Sequence, residues 1–153
     1  MKQNEFEAFI IDDKKYIDGD LKWEDDEDHS PTVEFRVEVR SDAGYPIFIK
    51  GSYNPLIYAL TFAVIHRKYG RIYALDMGKD HHNPSCHFVG EKHKHRWKEP
   101  VRDKEAYVPS DITFPPDDPV AVWDQFCIEA KISHLGVLKP PPPLQPELDY
   151  EDL

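Results

Sequence analysis

The alternation of apolar and charged residues over residues 33–40 constrains the fold more than any other stretch of this sequence. The segment reads VEFRVEVR, so every second side chain is apolar and those between are charged. Successive side chains of a β-strand point to opposite faces, and this period of two therefore predicts a strand with one buried and one solvated face. Residues 41–44 are expected to turn, and residues 45–50 to return as the antiparallel partner.

Neighbouring apolar runs are expected to extend this strand pair into a sheet. Residues 6–11 predict a first strand, and residues 16–23 a second one. Residues 55–69 are ambiguous, because Asn54 and Pro55 resemble a helix start while the β-branched and aromatic residues that follow favour a strand. The turn that ends at Gly70 is followed by another apolar run, so we interpret the segment as a hairpin.

One helix is predicted near the carboxyl end. Asp118 is a suitable N-cap, Pro119 fits the first helical position, and Gly136 marks the expected end. Apolar residues recur at i, i+3, i+4 and i+7, namely Trp123, Phe126, Cys127 and Ala130. The predicted fold is α+β: an antiparallel β-sheet of about six to seven strands packed against this C-terminal α-helix.

The domain organisation follows from the composition of the last residues. Residues 1–138 are expected to form a single α+β domain, and residues 139–153 an extended, Pro-rich acidic tail. Apolar residues of the tail could dock on a cognate protein partner, or its acids could lie across the basic segment of the chain itself.

Several classes of protein are disfavoured by the sequence. No run of eighteen apolar residues exists, and the first residues lack the apolar core of a secretory signal, so no membrane association is expected. Cys86 and Cys127 are too few for a disulfide framework, which favours a reduced, cytoplasmic setting.

The charge of this chain is unevenly distributed. The formal net charge is −10, yet residues 66–104 are basic while both ends are acidic. Such an asymmetry is typical of a site for an anion. The alternative is that the basic segment pairs with the acidic ends of its own chain.

Most of the eight histidines lie in this basic segment, which contains His66, His81, His82, His87, His93 and His95. If residues 91–98 form a strand, the imidazoles of His93 and His95 leave the same face, and Lys94 lies on the other. His82 follows the second arm of the predicted hairpin, at the rim of the sheet.

Three chemistries fit these histidines. In the first, His93 and His95 bind a metal ion together with His82 or His87, and with Asp80 or Cys86 as a further ligand. In the second, histidines act as acid and base in metal-independent RNA cleavage, which also needs positive charge near the phosphate. In the third, the same side chains and Trp97 only bind bases or a protein.

The order of these motifs resembles that of small bacterial toxin-like proteins from toxin–antitoxin pairs, the TumE-type family and its uncharacterised neighbours. The resemblance covers residues 60–97: a hairpin turn at Gly70, a strand that ends at Asp76, the histidine pair 81–82 and the His-x-His motif at 93–95. It departs at Ala74, where that pattern has an arginine. It implies a cytoplasmic protein that acts with an antitoxin, on RNA or its machinery.

These observations favour a toxin-like protein that engages RNA and cleaves phosphodiesters, with His82, His93 and His95 as catalytic residues and no cofactor. The expected nucleic-acid contacts are Lys94, Arg96, Trp97, Arg67 and Lys68. Two alternatives remain open: a non-catalytic acidic binding or inhibitor protein, and a His-ligated metal-dependent hydrolase.

Overall fold

The computed structural model describes residues 1–79, 83–84 and 90–144, and this part of the chain forms one β-sheet and two α-helices. The helices are α1 (Gln3–Ile11) and α2 (Pro119–Glu129). The strands are β1 (Lys15–Asp18), β2 (Glu24–Asp25), β3 (Val33–Ser41), β4 (Ile47–Asn54), β5 (Ala59–His66), β6 (Gly70–Met77), β7 (Lys92–Arg96), β8 (Ala106–Tyr107) and β9 (Ile132–Leu135).

The sheet is open and mostly antiparallel. Its strand order is β8-β7-β6-β5-β4-β3-β1-β9, and β2 also pairs with β3. Only β1 and β9 run parallel among the paired strands described. The α+β class is therefore confirmed, but this part of the chain has nine strands and two helices instead of six to seven strands and one helix. The extra strands have two to four residues, too few to give a hydrophobic period.

Strand β3 confirms the alternation read from the sequence. Val33, Phe35 and Val39 are buried, while the charged residues between them are exposed. Its antiparallel partner is β4, with a continuous register from Val33 opposite Tyr53 to Val39 opposite Ile47.

The ambiguous segment is a strand, and β5 with β6 forms the predicted hairpin. The register shifts at one point, because Val64 pairs with Tyr73 while the next residue, Ile65, pairs with Arg71. The extra residue turns Arg71 to the face of β6 that also carries Asp76, as expected when a bulge interrupts a ladder.

The prediction of a first strand over residues 6–11 is wrong, because this segment lies in α1. Phe6, Phe9 and Ile10 are the buried residues of the helix, and their spacing is that of one helical face. Phe9 packs edge-on against Tyr45 with ring centroids 5.2 Å apart, which fixes α1 beside the start of β4.

Helix α2 begins as predicted, with the Asp118 carboxylate accepting a hydrogen bond from the Ala121 amide at 3.2 Å. Its expected end at Gly136 is wrong, because the helix ends at Glu129. Lys131 has a φ of 52°, so a non-glycine residue makes the left-handed turn that leads into β9.

Helix α2 covers one face of the sheet. The ring of Trp123 lies 5.1 Å from that of Phe62 and 5.5 Å from that of Phe35, measured between centroids. Tyr73 stacks on Phe126 at 5.1 Å. We call the opposite side of the sheet the far face; by the strand register it carries Glu34, Arg36, Glu38, Phe48, Lys50, Ser52, Thr61, Ala63, Ile65, Arg71, Ala74, Asp76, His93 and His95.

The start of the expected tail is joined to the domain. The Lys139 amide donates to the Leu21 carbonyl at 2.8 Å, and the Trp23 indole donates to the Lys139 carbonyl at 3.0 Å. Residues 142–144 line a groove beside the acidic residues 24–27, and the remainder of the tail, residues 145–153, lies outside the described residues. None of the helices described here is long and apolar enough to span a membrane.

Candidate metal centre

Asp76, His93 and His95 meet on the far face. In the register of β6 with β7, Asp76 is opposite His93 and Ala74 is opposite His95, so the two imidazoles flank the carboxylate. Both Nε2 atoms lie 3.3 Å from Oδ2 of Asp76. One ligand atom from each of the three residues lies within 4.8 Å of the others.

The other nitrogen of each ring is held by the backbone. His93 Nδ1 lies 2.9 Å from the carbonyl oxygen of Gly90, and His95 Nδ1 lies 2.6 Å from that of Asp103. A carbonyl oxygen can only accept, so both Nδ1 atoms carry hydrogen. In a neutral imidazole the Nε2 lone pair would then point at an anionic oxygen, a repulsive arrangement unless a proton or a metal cation lies between them.

The Asp76 carboxylate is buried and ionised. Burial raises its pKa, but hydrogen bonds from His93, His95 and Thr61, followed by the charge of Arg71, outweigh this and hold the pKa well below its usual range. Thr61 Oγ1 donates to Oδ1 at 2.7 Å, which leaves Oδ2 to face the imidazoles.

Two cationic groups border the carboxylate. The Lys79 ammonium donates at 3.0 Å to Thr61 Oγ1, the hydroxyl that itself donates to Asp76. Arg71 lies 3.5 Å from Asp76 Oδ2, but its shorter contact is from Nε to Oδ2 of Asp103 at 2.6 Å.

The two distances from the Asp76 oxygen to the imidazole nitrogens suit a small tetrahedral ion. Nitrogen and oxygen ligands bind Zn²⁺ at 2.0–2.2 Å, so neighbouring ligand atoms around the ion lie about 3.3 Å apart. The two Nε2–Oδ2 distances have this value. Two imidazoles and one carboxylate are also a donor set that binds catalytic Zn²⁺ or Fe²⁺ in proteins.

The sequence correctly placed His93 and His95 on one face of a strand and Lys94 on the other. All three are buried, with exposed fractions of 2%, 1% and 0% respectively. His82, the third predicted catalytic residue, lies outside the described residues, as do Asp80, Cys86 and His87. The catalytic roles stay predictions.

The predicted nucleic-acid contacts do not lie together beside the triad. Lys94 reaches Asp111 at 2.5 Å and Glu129 at 3.3 Å on the helix side of the sheet. The other four have different surroundings. Arg96 is 3.4 Å from Glu7, and Trp97 is buried and donates to the Met1 carbonyl. Arg67 pairs with Glu38, and Lys68 lies by the Tyr69 ring.

Asp76 is the site residue that sequence reasoning missed. It lies near the end of an apolar strand, and no spacing motif connects it with the His-x-His pair that begins 17 positions later. Only the pairing of β6 with β7 brings the three residues together. The signal available in the sequence was an acidic residue on a strand next to another strand that carries His-x-His.

The chain belongs to DUF6978, a family of unknown function, which matches residues 1–132. No curated protein matches the chain, and no solved structure matches it. Membership of this family does not indicate an activity, so the resemblance to toxin-like proteins stays a prediction.

Proposed function

We propose that Asp76, His93 and His95 bind a divalent transition-metal ion, with Zn²⁺ as the first candidate, and that the protein is a metal-dependent hydrolase. The observation that carries the proposal is the pair of Nε2 atoms at 3.3 Å from one carboxylate oxygen, with both Nδ1 atoms already engaged. Such backbone contacts commonly orient histidine ligands toward a metal ion.

The three ligands among the described residues match the number that a catalytic zinc site takes from the protein. Structural zinc sites use four protein ligands, whereas catalytic sites use three and keep a fourth position for water or substrate. The described residues supply three. An ion held there would lower the pKa of a water molecule in the fourth position, which supplies a nucleophile for hydrolysis near neutral pH.

Each of the three residues has a separate part in this arrangement. His93 and His95 would each bind the ion through Nε2, with ring planes fixed by the Gly90 and Asp103 carbonyls. Asp76 supplies the negative charge, and the Thr61 hydroxyl fixes the orientation of its carboxylate. Arg71 is held by Asp103 and lies 3.5 Å from the same carboxylate, where it adds positive charge.

The same geometry is poorly suited to metal-free cleavage by two histidines. A general acid or base must come within hydrogen-bond reach of the substrate. His93 and His95 are 2% and 1% exposed, and one nitrogen of each ring is held by a carbonyl. In a metal site the two imidazoles bind the ion and do not themselves have to exchange a proton with the substrate.

The test is the metal content and affinity of purified protein. After removal of metal, titration with Zn²⁺ is expected to give one tight site per chain, and zinc-loaded protein should hydrolyse bis(p-nitrophenyl) phosphate. Asp76→Asn, His93→Ala and His95→Ala should each lower both zinc affinity and hydrolysis at least about 100-fold, since each removes one ligand. Fe²⁺ and Mn²⁺ are tested in parallel.

The control variant is His29→Gln, because His29 is exposed and contacts only Asp26 among its described ion-pair partners. It should bind Zn²⁺ like the wild type. Wild-type protein without a zinc site, or an Asp76→Asn variant with unchanged affinity, would contradict the metal centre. Zinc binding without hydrolysis of any ester would contradict the hydrolase.

A further inference from the structure

Cationic side chains continue from the metal centre across the far face. One row of the register contains Arg36, Lys50, Ala63, Ala74 and His95, on five successive strands from β3 to β7. Between Lys50 and His95 this row has only methyl side chains. The neighbouring row leads from Thr61 to Asp76 and His93.

Arg36, Lys50 and Lys79 form what we call the cationic strip. All three are exposed, and within residues 1–79, 83–84 and 90–144 none has a carboxylate within ion-pair distance. Lys79 is joined to Asp76 through the Thr61 hydroxyl, with contacts of 3.0 and 2.7 Å. The strip therefore ends at the metal centre.

The acidic residues of the same face do not neutralise the strip. Glu38 pairs with Arg67, which also lies over the Phe48 ring. Glu34 lies two residues from Arg36 on β3 and is exposed, and it has no ion pair among the described residues. In a chain of net charge −10, these exposed cations leave a local excess of positive charge on the far face, and such a patch attracts anions.

The length of the strip indicates whether its ligand is a small anion or a linear molecule with several negative charges. Arg36 on β3 and Asp76 on β6 are separated by three strand intervals, roughly 14 Å at the usual spacing between strands. One phosphate or carboxylate group cannot contact both ends. A linear molecule with repeated negative charges can.

We propose that the substrate of the metal centre is a nucleic-acid strand whose phosphates lie along Arg36, Lys50 and Lys79, so that one phosphodiester reaches the Asp76 site. This inference rests on the proposed function. Phe48, the aromatic residue on this face, is 8% exposed beneath the Arg36 guanidinium, so binding is through the backbone phosphates and not through stacked bases.

The reaction at the site is hydrolysis and needs no further reactant. The oxygen of a water molecule bonds to phosphorus, and the bond from phosphorus to the leaving sugar oxygen breaks. One proton of the water passes to that oxygen, so the products are a phosphomonoester and a hydroxyl end. Lys79 stabilises the charge that develops on the phosphate oxygens.

The experiment measures binding of a fluorescent 12-nucleotide single strand by anisotropy, in RNA and DNA arms, with a chelator present to prevent cleavage. The triple variant Arg36→Gln, Lys50→Gln, Lys79→Gln is expected to bind at least ten-fold more weakly at 50 mM salt. The slope of log affinity against log salt should fall by about 2, since a single strand contributes about 0.7 per lost phosphate contact. A preference for one arm identifies the substrate as RNA or DNA.

The matched control removes the same charge elsewhere, by Lys2→Gln, Lys14→Gln and Lys22→Gln, all exposed positions. It should bind the strand like the wild type. Equal weakening in the two triple variants would overturn the proposal, and so would equal competition by polyglutamate of the same charge, because the surface would then recognise charge alone.

Failure of this inference can be distinguished from failure of the metal centre. The double variant Arg36→Gln, Lys50→Gln, which leaves Lys79 in place, should keep full zinc affinity, and Asp76→Asn should keep strand binding while losing zinc and cleavage. A protein that binds zinc and hydrolyses bis(p-nitrophenyl) phosphate but neither binds nor cuts the strand retains the proposed function and refutes the nucleic-acid substrate.

Discussion

Thr61 is the residue that fixes the orientation of the Asp76 carboxylate. Its hydroxyl donates to Oδ1 at 2.7 Å, which leaves Oδ2 for the imidazoles. Thr61→Val keeps the shape and removes the hydrogen bond, so we expect zinc affinity to fall by about 10- to 100-fold, as for other outer partners of metal ligands. Thr32→Val is the control, and calorimetric zinc titrations of both variants check the prediction. Equal affinities would show that Thr61 does not position the ligand.

We expect Lys15 to make the free energy of unfolding depend on pH in the alkaline range. The side chain is 1% exposed, donates to the Phe9 carbonyl and lies 4.0 Å from the Phe9 ring centroid. Burial lowers the pKa of Lys15 to about 8, against the opposing charge of Asp12. Between about pH 8 and 10.5 the folded protein has lost a proton that the unfolded chain keeps, so the free energy of unfolding rises with pH over this window.

The check is urea unfolding of wild-type protein and Lys15→Met at pH 7.5, 9 and 10. Met keeps most of the apolar volume of the Lys15 side chain and has no proton to lose. The part of the rise in unfolding free energy that is due to Lys15 should therefore be absent from the variant. The difference in unfolding free energy between the two proteins should therefore change steadily in favour of the wild type as pH increases. A constant difference would contradict the lowered pKa.

Gly51 shows how closely the elements of the sheet pack. A β-carbon at Gly51 on β4 would lie 2.2 Å from the Phe35 ring on β3. Phe35 also packs edge-on against Trp123 of α2, so the ring has little room to move. Gly51→Ala should lower the free energy of unfolding by about 1–3 kcal/mol through overpacking. Ser52→Ala, on the other face, should change it by less than about 0.5 kcal/mol. Chemical denaturation measures both.

Strand β7 is joined to helix α2 through one ionic cluster. Lys94 is fully buried and reaches Asp111 and Glu129, and Glu129 Oε1 also accepts hydrogen bonds from Tyr73 at 2.7 Å and Tyr107 at 2.8 Å. Burial raises the pKa of Glu129, but the bonds from the two tyrosines and the charge of Lys94 lower it by more. The cluster is thus stabilising while Glu129 is ionised.

We expect Lys94→Met to lower the free energy of unfolding by about 2–4 kcal/mol at pH 7, because it leaves two carboxylates without their ammonium partner. The wild-type contribution is present above the unfolded pKa of Glu129 and is lost as pH falls through the lower folded pKa. The difference between the two proteins should therefore shrink in acid. Denaturant unfolding at pH 7, 5 and 3.5 measures it, and a difference independent of pH would rule out the ionic cluster as its cause.

At the scale of elements, the sequence predicted what local periodicity controls. The alternation in β3 and the spacing of Trp123 and Phe126 in α2 both describe one buried face, and both predictions are confirmed. The six residues of 6–11 are too few to separate a period of two from 3.6, so the helix was missed. The end of α2 is set by the pairing of β9 with β1, a tertiary contact that its own residues do not contain.

The candidate site was predictable only in part, for the same reason. The common face of His93 and His95 follows from their spacing on β7. Asp76 joins them through the β6–β7 register, and the Gly90 and Asp103 carbonyls come from the segments that flank β7. Long-range pairing of this kind leaves no motif in the sequence.

At the scale of the whole molecule, the cations of the basic segment fall into two groups, those paired with acids of the same chain and those without such a partner among the described residues. The sequence left open whether the basic segment binds an external anion or pairs with the acidic ends of the chain. Arg96 with Glu7 and Lys94 with Glu129 are pairs of the second kind. Lys79 has no such partner among the described residues, and the strands bring Arg36 and Lys50, from outside that segment, to the same face.

The metal centre is the claim on which the proposed hydrolase and its nucleic-acid substrate both depend. The most direct measurement is anomalous diffraction at the zinc edge from a crystal grown with Zn²⁺. We predict an anomalous peak about 2.0–2.2 Å from Oδ2 of Asp76 and from Nε2 of His93 and His95. A crystal whose zinc peaks all lie elsewhere, with the two imidazoles still in direct contact with the carboxylate, would contradict it.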